Sequence, residues 1–218
     1  MNFETKRIAV NHLPAISRSV RKMLSVAAVG LTLAAAAVTP ATAAPTEATR
    51  AGVTSVRLSA DFVNALSSLN VTPAPIAPGR LMSTRRGVVA SFPITAGAVD
   101  LGTVKAEIGH EGGLSLTAGS TSVELSAFII DLAGNRPVLT GLVTVNDSLL
   151  GRVPLFDLAL SSNSVSGNDD LLKVNNVALT LSQEAAAALN SVFNVTAFVP
   201  GFRIGTGSVR AILEFERP

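Results

Sequence analysis

Residues 104–117 read Val104-Lys105-Ala106-Glu107-Ile108-Gly109-His110-Glu111-Gly112-Gly113-Leu114-Ser115-Leu116-Thr117. Val104, Ala106 and Ile108 alternate with Lys105, Glu107 and Gly109, and Leu114 and Leu116 alternate with Ser115 and Thr117. Successive side chains of a strand point to opposite faces, so each half reads as a strand with one apolar face. Gly112-Gly113 between them marks a turn.

The same period runs outward from this stretch. Toward the N-terminus, Gly87–Pro93 is a mostly apolar run, and Val56 and Leu58 alternate with polar neighbours. Toward the C-terminus, Val123, Leu125, Ala127 and Ile129 alternate with Glu124, Ser126 and Phe128 after a turn at Ala118-Gly119-Ser120. Val138–Val145 and Arg152–Leu160 follow, joined across Asn146-Asp147-Ser148; Pro154 early in the second run predicts an edge or a bulge. Ser161–Asp170 reads as a long polar turn. Val177, Leu179 and Leu181 form another alternating strand, and Ile204–Phe215 forms the last.

Two segments break the pattern. Ser59 is placed to cap a helix over Ala60–Leu69, with Asp61 in its first turn and Phe62, Ala65, Leu66 and Leu69 on one stripe. Pro73, Pro75, Pro78 and Gly79 lie beyond it, and Arg80, Arg85 and Arg86 read as part of a loop. Ser182 is placed to cap a second helix over Gln183–Phe193, with Glu184 in its first turn. The helices look alike: Leu58-Ser59-Ala60-Asp61 parallels Leu181-Ser182-Gln183-Glu184, and Asn70-Val71-Thr72 parallels Asn194-Val195-Thr196. The fold expected is all-β, an antiparallel β-sandwich or barrel-like domain of about ten strands with two short α-helices.

The first 22 residues carry Lys6, Arg7, Arg18, Arg21 and Lys22 against Glu4. The uncharged run Met23–Val38 follows, then Ala41-Thr42-Ala43. That order is a secretory signal peptide over 1–43, and the apolar run is shorter than the roughly 20 residues of a spanning helix. Residues 44–52 read as a flexible leader and 53–218 as a single β domain, with no transmembrane segment after cleavage. Loss of residues 1–43 removes five of 17 Lys+Arg and one of 15 Asp+Glu, so the mature net charge is −2. The basic pI belongs to the signal, and bulk charge gives no nucleic-acid reading. A secreted chain without cysteine has no disulfide staple and depends on its core.

Composition removes most site chemistry. The chain has no Cys, Trp or Tyr, and His110 is the one histidine after residue 43. A nucleophile–base–orienter relay would have to use His110 as its base, and no Gly-x-Ser-x-Gly elbow is present. Glu107, Glu111, Asp131, Asp157, Asp169 and Asp170 are scattered acids that read as a solvated face, without the aromatic platforms of a glycan site. Gly205-Thr206-Gly207 lacks the third glycine and following helix of a nucleotide motif, and reads as close backbone packing. An enzyme is therefore not expected. Arg80, Arg85 and Arg86 are either exposed or a clamp for the carboxylates of an anionic ligand. His110 is either a strand-end residue making hydrogen bonds or a metal or haem contact.

The order of short motifs resembles the HtaA domain of actinobacterial secreted and surface proteins. It comprises Phe92-Pro93-Ile94, Gly97, Val99-Asp100, Gly102-Thr103-Val104, Gly109-His110-Glu111-Gly112-Gly113-Leu114-Ser115-Leu116, Val123-Glu124-Leu125, Val153-Pro154-Leu155-Phe156-Asp157-Leu158 and Ala186-Ala187-Ala188-Leu189-Asn190 with Phe193. The resemblance implies an all-β extracytoplasmic domain that binds haem and supports haem-iron uptake. In that family tyrosine is the usual iron ligand, helped by histidine, and this chain has none. Only His110 falls in a family-like Gly-His-x-Gly context. Of the side chains that ligate haem iron strongly, the mature chain offers His110 and Met82 alone, with Arg80, Arg85 and Arg86 as propionate partners. Two functions are thus expected. One is a secreted haem-binding module, or one for another hydrophobic anionic ligand. The other is an envelope structural or interaction domain of the same fold without haem.

Signal cleavage is expected after Ala43. N-terminal sequencing of the exported protein then begins Ala44-Pro45, and a start before Ala41 would overturn the assignment.

Overall fold

The computed structural model describes residues 46–103, 105–161, 164–168 and 170–214. The expected signal peptide and its expected cleavage site lie outside the described residues, as do Val104, Asp169 and 215–218. In chain order the elements are β1 (Thr46–Leu58), α1 (Ala60–Ser68), β2 (Thr72–Ile76), β3 (Arg80–Thr84), β4 (Gly87–Asp100), β5 (Lys105–His110), β6 (Gly113–Ala118) and β7 (Thr121–Asp131). Then come β8 (Val138–Val145), β9 (Ser148–Ala159), β10 (Val165–Asn168), β11 (Leu171–Leu181), α2 (Gln183–Phe193) and β12 (Arg203–Glu214).

Eight of the strands close on themselves. The antiparallel path β7-β5-β4-β1-β12-β11-β9-β8 returns to β7, which makes an all-β barrel. Pairing carries Ala48 through Ala98, Glu107, Asp131, Val138, Asp157 and Thr180 to Arg203. Gly205, two residues further on, already faces Leu58, so the ladder returns to β1 more than ten residues from its start. A stagger of that size tilts the strands and widens the interior. Along β1, Thr54, Val56 and Leu58 face inward and are buried, while Val53 and Arg57 are exposed.

Of the four remaining strands β6 follows the sequence reading, and β2, β3 and β10 correct it. Arg80–Thr84, expected as loop, is β3, in a hairpin with β4. Pro73 and Pro75, expected to lie in a break, belong to β2, which pairs with β6 alone. An edge strand tolerates prolines because one of its sides donates no ladder hydrogen bonds. The supposed polar turn before β11 contains β10, paired to β11 from Val165↔Val174 to Asn168↔Leu171. Residues 46–52, expected within a flexible leader, are the first half of β1, held between β4 and β12. Small polar residues there gave no apolar alternation to read, and backbone pairing supplies the order instead.

β5 and β6 are one strand interrupted at Glu111-Gly112, and both pair along β7. At the interruption β4 turns to β3, while β6 takes β2 as its outer neighbour. The turn linking β2 to β3 settles on the break. Gly112 has φ +79°, and a Cβ there would collide with the backbone nitrogen of Gly79. Only glycine combines that backbone angle with that approach.

Both helices form where expected. The Ser59 hydroxyl accepts from the Phe62 amide (3.1 Å) and donates to the Arg203 carbonyl (2.8 Å). The Ser182 hydroxyl accepts from the Ala185 amide (2.9 Å) and donates to the Pro154 carbonyl (2.6 Å). Each serine thus starts a helix and ties it to a neighbouring strand. Pro154 sits beside a register shift between β8 and β9, as its position in the sequence implied. Phe62 and Leu66 of α1 and Ala185, Ala186 and Leu189 of α2 are buried, whereas Leu69 and Val192 are only partly so.

Replacement of Leu66, 2% exposed, by Ala is expected to cost about 2–5 kcal/mol in urea unfolding. Leu189, 9% exposed, falls at the lower end of the same range. A cost near zero at Leu66 would show that α1 does not close the core.

Candidate functional site

Among the described residues the inward face of the barrel is apolar apart from Thr49, whose hydroxyl has no hydrogen-bond partner, and one polar rung. On one side of the rung, Val56, Phe92, Leu114, Leu125, Leu155 and both helices enclose a void of about 70 Å³. On the other, Ile108, Ile130, Leu158, Leu172 and Val209 enclose about 60 Å³. His110 and Thr54 form the rung, 5% and 4% exposed.

A phase change in β7 builds this rung. The expected alternation put Ala127 and Ile129 on the face of Val123 and Leu125. The structure instead buries Phe128 and Ile130. Ala127 takes φ +47°, and the pairing of β7 with β8 jumps from Ser126↔Leu142 to Ile129↔Thr140. This is a β-bulge, which re-aims the residues after it and leaves carbonyls without ladder partners. Two side chains take those carbonyls. His110 Nδ1 lies 3.2 Å from the Phe128 oxygen, and Arg152 Nη1 donates to the Ala127 oxygen at 2.8 Å.

The tautomer of His110 follows. A carbonyl only accepts, so Nδ1 carries the proton and Nε2 of the neutral ring is an acceptor. The Thr54 hydroxyl, 2.7 Å from Nε2, donates to it. Both ring nitrogens are therefore engaged inside the wall. Burial holds the imidazole pKa below its ordinary 6.5, with the Phe128 carbonyl opposing in part. Phe128, carried inward by the bulge, packs edge-on against Phe92 with ring centroids 4.8 Å apart.

The other site residues expected from the sequence lie elsewhere. Arg80, Arg85, Arg86 and Met82 are exposed. Arg80 and Met82 stand on the outer face of β3, opposite Ser91 and Val89 of β4, and Arg85 and Arg86 occupy the hairpin tip. His110 faces the interior of the same wall, so the structure does not bring the arginines to it. Thr54 and Arg152 were missed. Thr54 left one signal, a hydroxyl in the inward phase of Val56 and Leu58, whereas nothing in the sequence marks a positive φ at Ala127.

The first compartment has one side without a strand. β9 pairs with β11 only from Phe156 onward, and α2 lies along its earlier half. Leu150, 59% exposed, lines both the compartment and the surface there, with Val192 of α2.

Haem iron needs a free donor atom and room for a flat macrocycle. His110 Nε2 already accepts from Thr54, and the two voids are far below the roughly 300–1,000 Å³ of a small-molecule pocket. In the closed barrel these residues do not fit an iron-bound macrocycle. Among the described residues no group of three His, Cys, Asp or Glu side chains is placed to hold a metal ion.

Known structures share the architecture. The C-terminal domain of HtaA from Corynebacterium glutamicum superposes with a TM-score of 0.61 at 18% identity, covering 77% of this chain and 99% of that one. A domain-swapped dimer of a histidine-to-alanine variant of that domain gives 0.51 at 20% identity, covering 71% and 92%. Heme binding protein HtaB from the same organism gives 0.51 at 10% identity, covering 78% and 96%. The chain has an HtaA-domain-like fold. No family model matches it, and no curated protein does.

The lowered His110 pKa has a defined sign in stability. The unfolded chain binds a proton at His110 at higher pH than the folded chain does, so stability rises with pH across that interval. The contribution is complete above the unfolded value of 6.5 and declines as pH falls below it. His110→Gln keeps a donor and an acceptor without titrating. Wild type is expected to lose more of its urea midpoint than His110→Gln between about pH 7 and about pH 5. Parallel pH curves for the two proteins would remove His110 as the cause.

Proposed function

We propose that this chain is a non-catalytic extracytoplasmic binding module for haem or another hydrophobic, anionic ligand. The observation that carries this reading is the barrel's fold match to heme binding protein HtaB, over nearly all of that protein. An apolar interior that reaches the surface beside α2 at Leu150 supports it. The signal peptide read from residues 1–43 supports an extracellular or envelope location.

The chain's own residues limit how haem is held. Haem would supply an iron centre and two carboxylates to pair. The closed compartments are too small to admit the macrocycle, so in the closed barrel haem would be held by apolar contact at the mouth beside Leu150 and Val192, without a bond from protein to iron. His110 is the iron donor only in a state in which its hydrogen bond with Thr54 is open. Arg80, Arg85 and Arg86 stand on the outer face beside β4 and would pair only a carboxylate that stays outside the wall there.

Hemin titration of wild type and His110→Ala, followed by absorbance, tests the reading. An equal Soret shift in both proteins is expected. A shift confined to wild type, with the variant still folded, would establish the open state and the His110 bond. No shift in either would overturn haem binding and favour an envelope interaction domain of the same fold.

A further inference from the structure

The mature net charge of −2 hides a segregation that the barrel creates. On the outer wall formed by β3, β4, β1, β12 and β11, outward residues line up in rows across the strands. One row runs Met82, Val89, Arg57, Thr206 and Ala178. The next runs Arg80, Ser91, Ser55 and Ser208, and a third places Val53, Arg210 and Lys173 side by side. Arg203 adds a cation by donating from Nη2 to Thr206 Oγ1 (3.2 Å), so two guanidinium-bearing residues flank that threonine. No carboxylate stands in these rows. The flanking acids include Asp61 at the start of α1, Glu214, four residues beyond Arg210, Asp170 beside the start of β11, and Asp157, across Thr180 from Arg203 and paired with Arg136. The opposite wall is acidic enough to set Glu107 directly beside Asp131. Among the described residues the ion pairs are those of Arg136 with Asp157 and Glu184, so none of the cations of the basic wall is paired with a described carboxylate.

The middle of the basic wall is a groove of about 210 Å³ lined by Ser55, Arg57, Asn175, Asn176, Thr206 and Ser208. Hydroxyls and amides donate to phosphate oxygens at close range, and the arginines supply fork-shaped donors and charge. Spacing across the sheet suits an extended ligand. Neighbouring strands lie about 4.8 Å apart, so Arg80, Arg57 and Arg210 are distributed over several strand widths rather than focused on one point.

We infer that this wall binds a linear, phosphate-bearing polyanion, with Arg57, Arg80, Arg203, Arg210 and Lys173 tracking its charges and the groove holding one phosphate. This surface is distinct from the apolar interior and does not depend on the haem reading. Compact small anions would use a single arginine pair, and a bilayer would require an apolar tip where the β3–β4 hairpin carries Arg85-Arg86.

The test is binding of the mature protein to inorganic polyphosphate, measured by fluorescence anisotropy against salt. By the counterion slope of a single-stranded polyanion, five neutralised charges weaken binding about a hundredfold between about 50 and about 200 mM salt. The triple variant Arg57→Ser, Arg80→Ser, Arg210→Ser leaves two, and its loss over the same range falls to under about tenfold. Lys105→Ser, on β5 outside the basic wall, leaves the slope unchanged. All four positions are exposed, and unchanged thermal melts confirm folding. A triple variant that is folded but keeps the wild-type slope overturns the assignment, as does the absence of binding at the lower salt. Vesicles containing phosphatidylglycerol are the parallel arm. Binding to vesicles without binding to polyphosphate would make the wall a membrane surface and overturn the polymer.

Discussion

The structure turns on a bulge at Ala127-Phe128. By adding one residue to β7 it reverses the inward phase, exchanges Ile129 for Phe128 and Ile130 in the core, and frees two backbone carbonyls. A freed carbonyl inside a barrel costs about 1–3 kcal/mol if it stays unpaired. His110 answers the buried one and Arg152 the one nearer the surface. That accounts for an imidazole at 5% exposure in a largely apolar interior. The bulge also coincides with the β5–β6 break and with the register shift of β4 between Ile94 and Ala96, next to His110. Three irregular strands at one level let the wall splay, and the β2–β3 turn fills the opening against Gly112.

The helices do the corresponding work for the first compartment. Each follows a strand, starts at a serine that also bonds a neighbouring strand, and turns its apolar stripe inward. Each also leads to an asparagine of left-handed backbone conformation, Asn70 or Asn194. The repeated Leu-Ser sequence therefore encodes the same local event twice. What separates them is the neighbouring wall. α1 packs near β12, whereas α2 lies along the part of β9 that has no second strand partner, which leaves Leu150 at the compartment's mouth.

Elements whose signal is local were legible. Ser59 and Ser182 identified their helix starts, α2 keeps the bounds read for it, and Pro154 pointed to its bulge, because capping and proline sterics act over a few residues. Elements defined by partners were not. β3 and β10 are short, polar and exposed, and exist because β4 and β11 offer them edges. The first half of β1 looked like a leader because Thr46–Gly52 carries its order in backbone pairing rather than in an apolar stripe. The candidate site was half legible. His110 stood out as the lone imidazole, but its partners depend on a positive φ at an alanine, for which the sequence holds no cue. Whether Arg80, Arg85 and Arg86 lie near it was not legible either, because a β wall sets inward and outward residues apart and the sequence does not show which side a distant loop takes.

That separation bears on what such a barrel can bind. A ligand that is both flat and anionic makes two demands, an apolar slot and cations at its rim. Here the slot and the cations lie on opposite sides of the wall. An anion drawn into either compartment would meet no positive charge, since the rung between them is a neutral imidazole and a hydroxyl, and burying an unpaired carboxylate is costly. The interior therefore accepts apolar bulk, while anionic groups remain outside with the arginines. A ligand satisfying both must lie across a boundary of the wall rather than within it, and the side beside α2, where β9 lacks a second strand, is the boundary at which the first compartment reaches the surface.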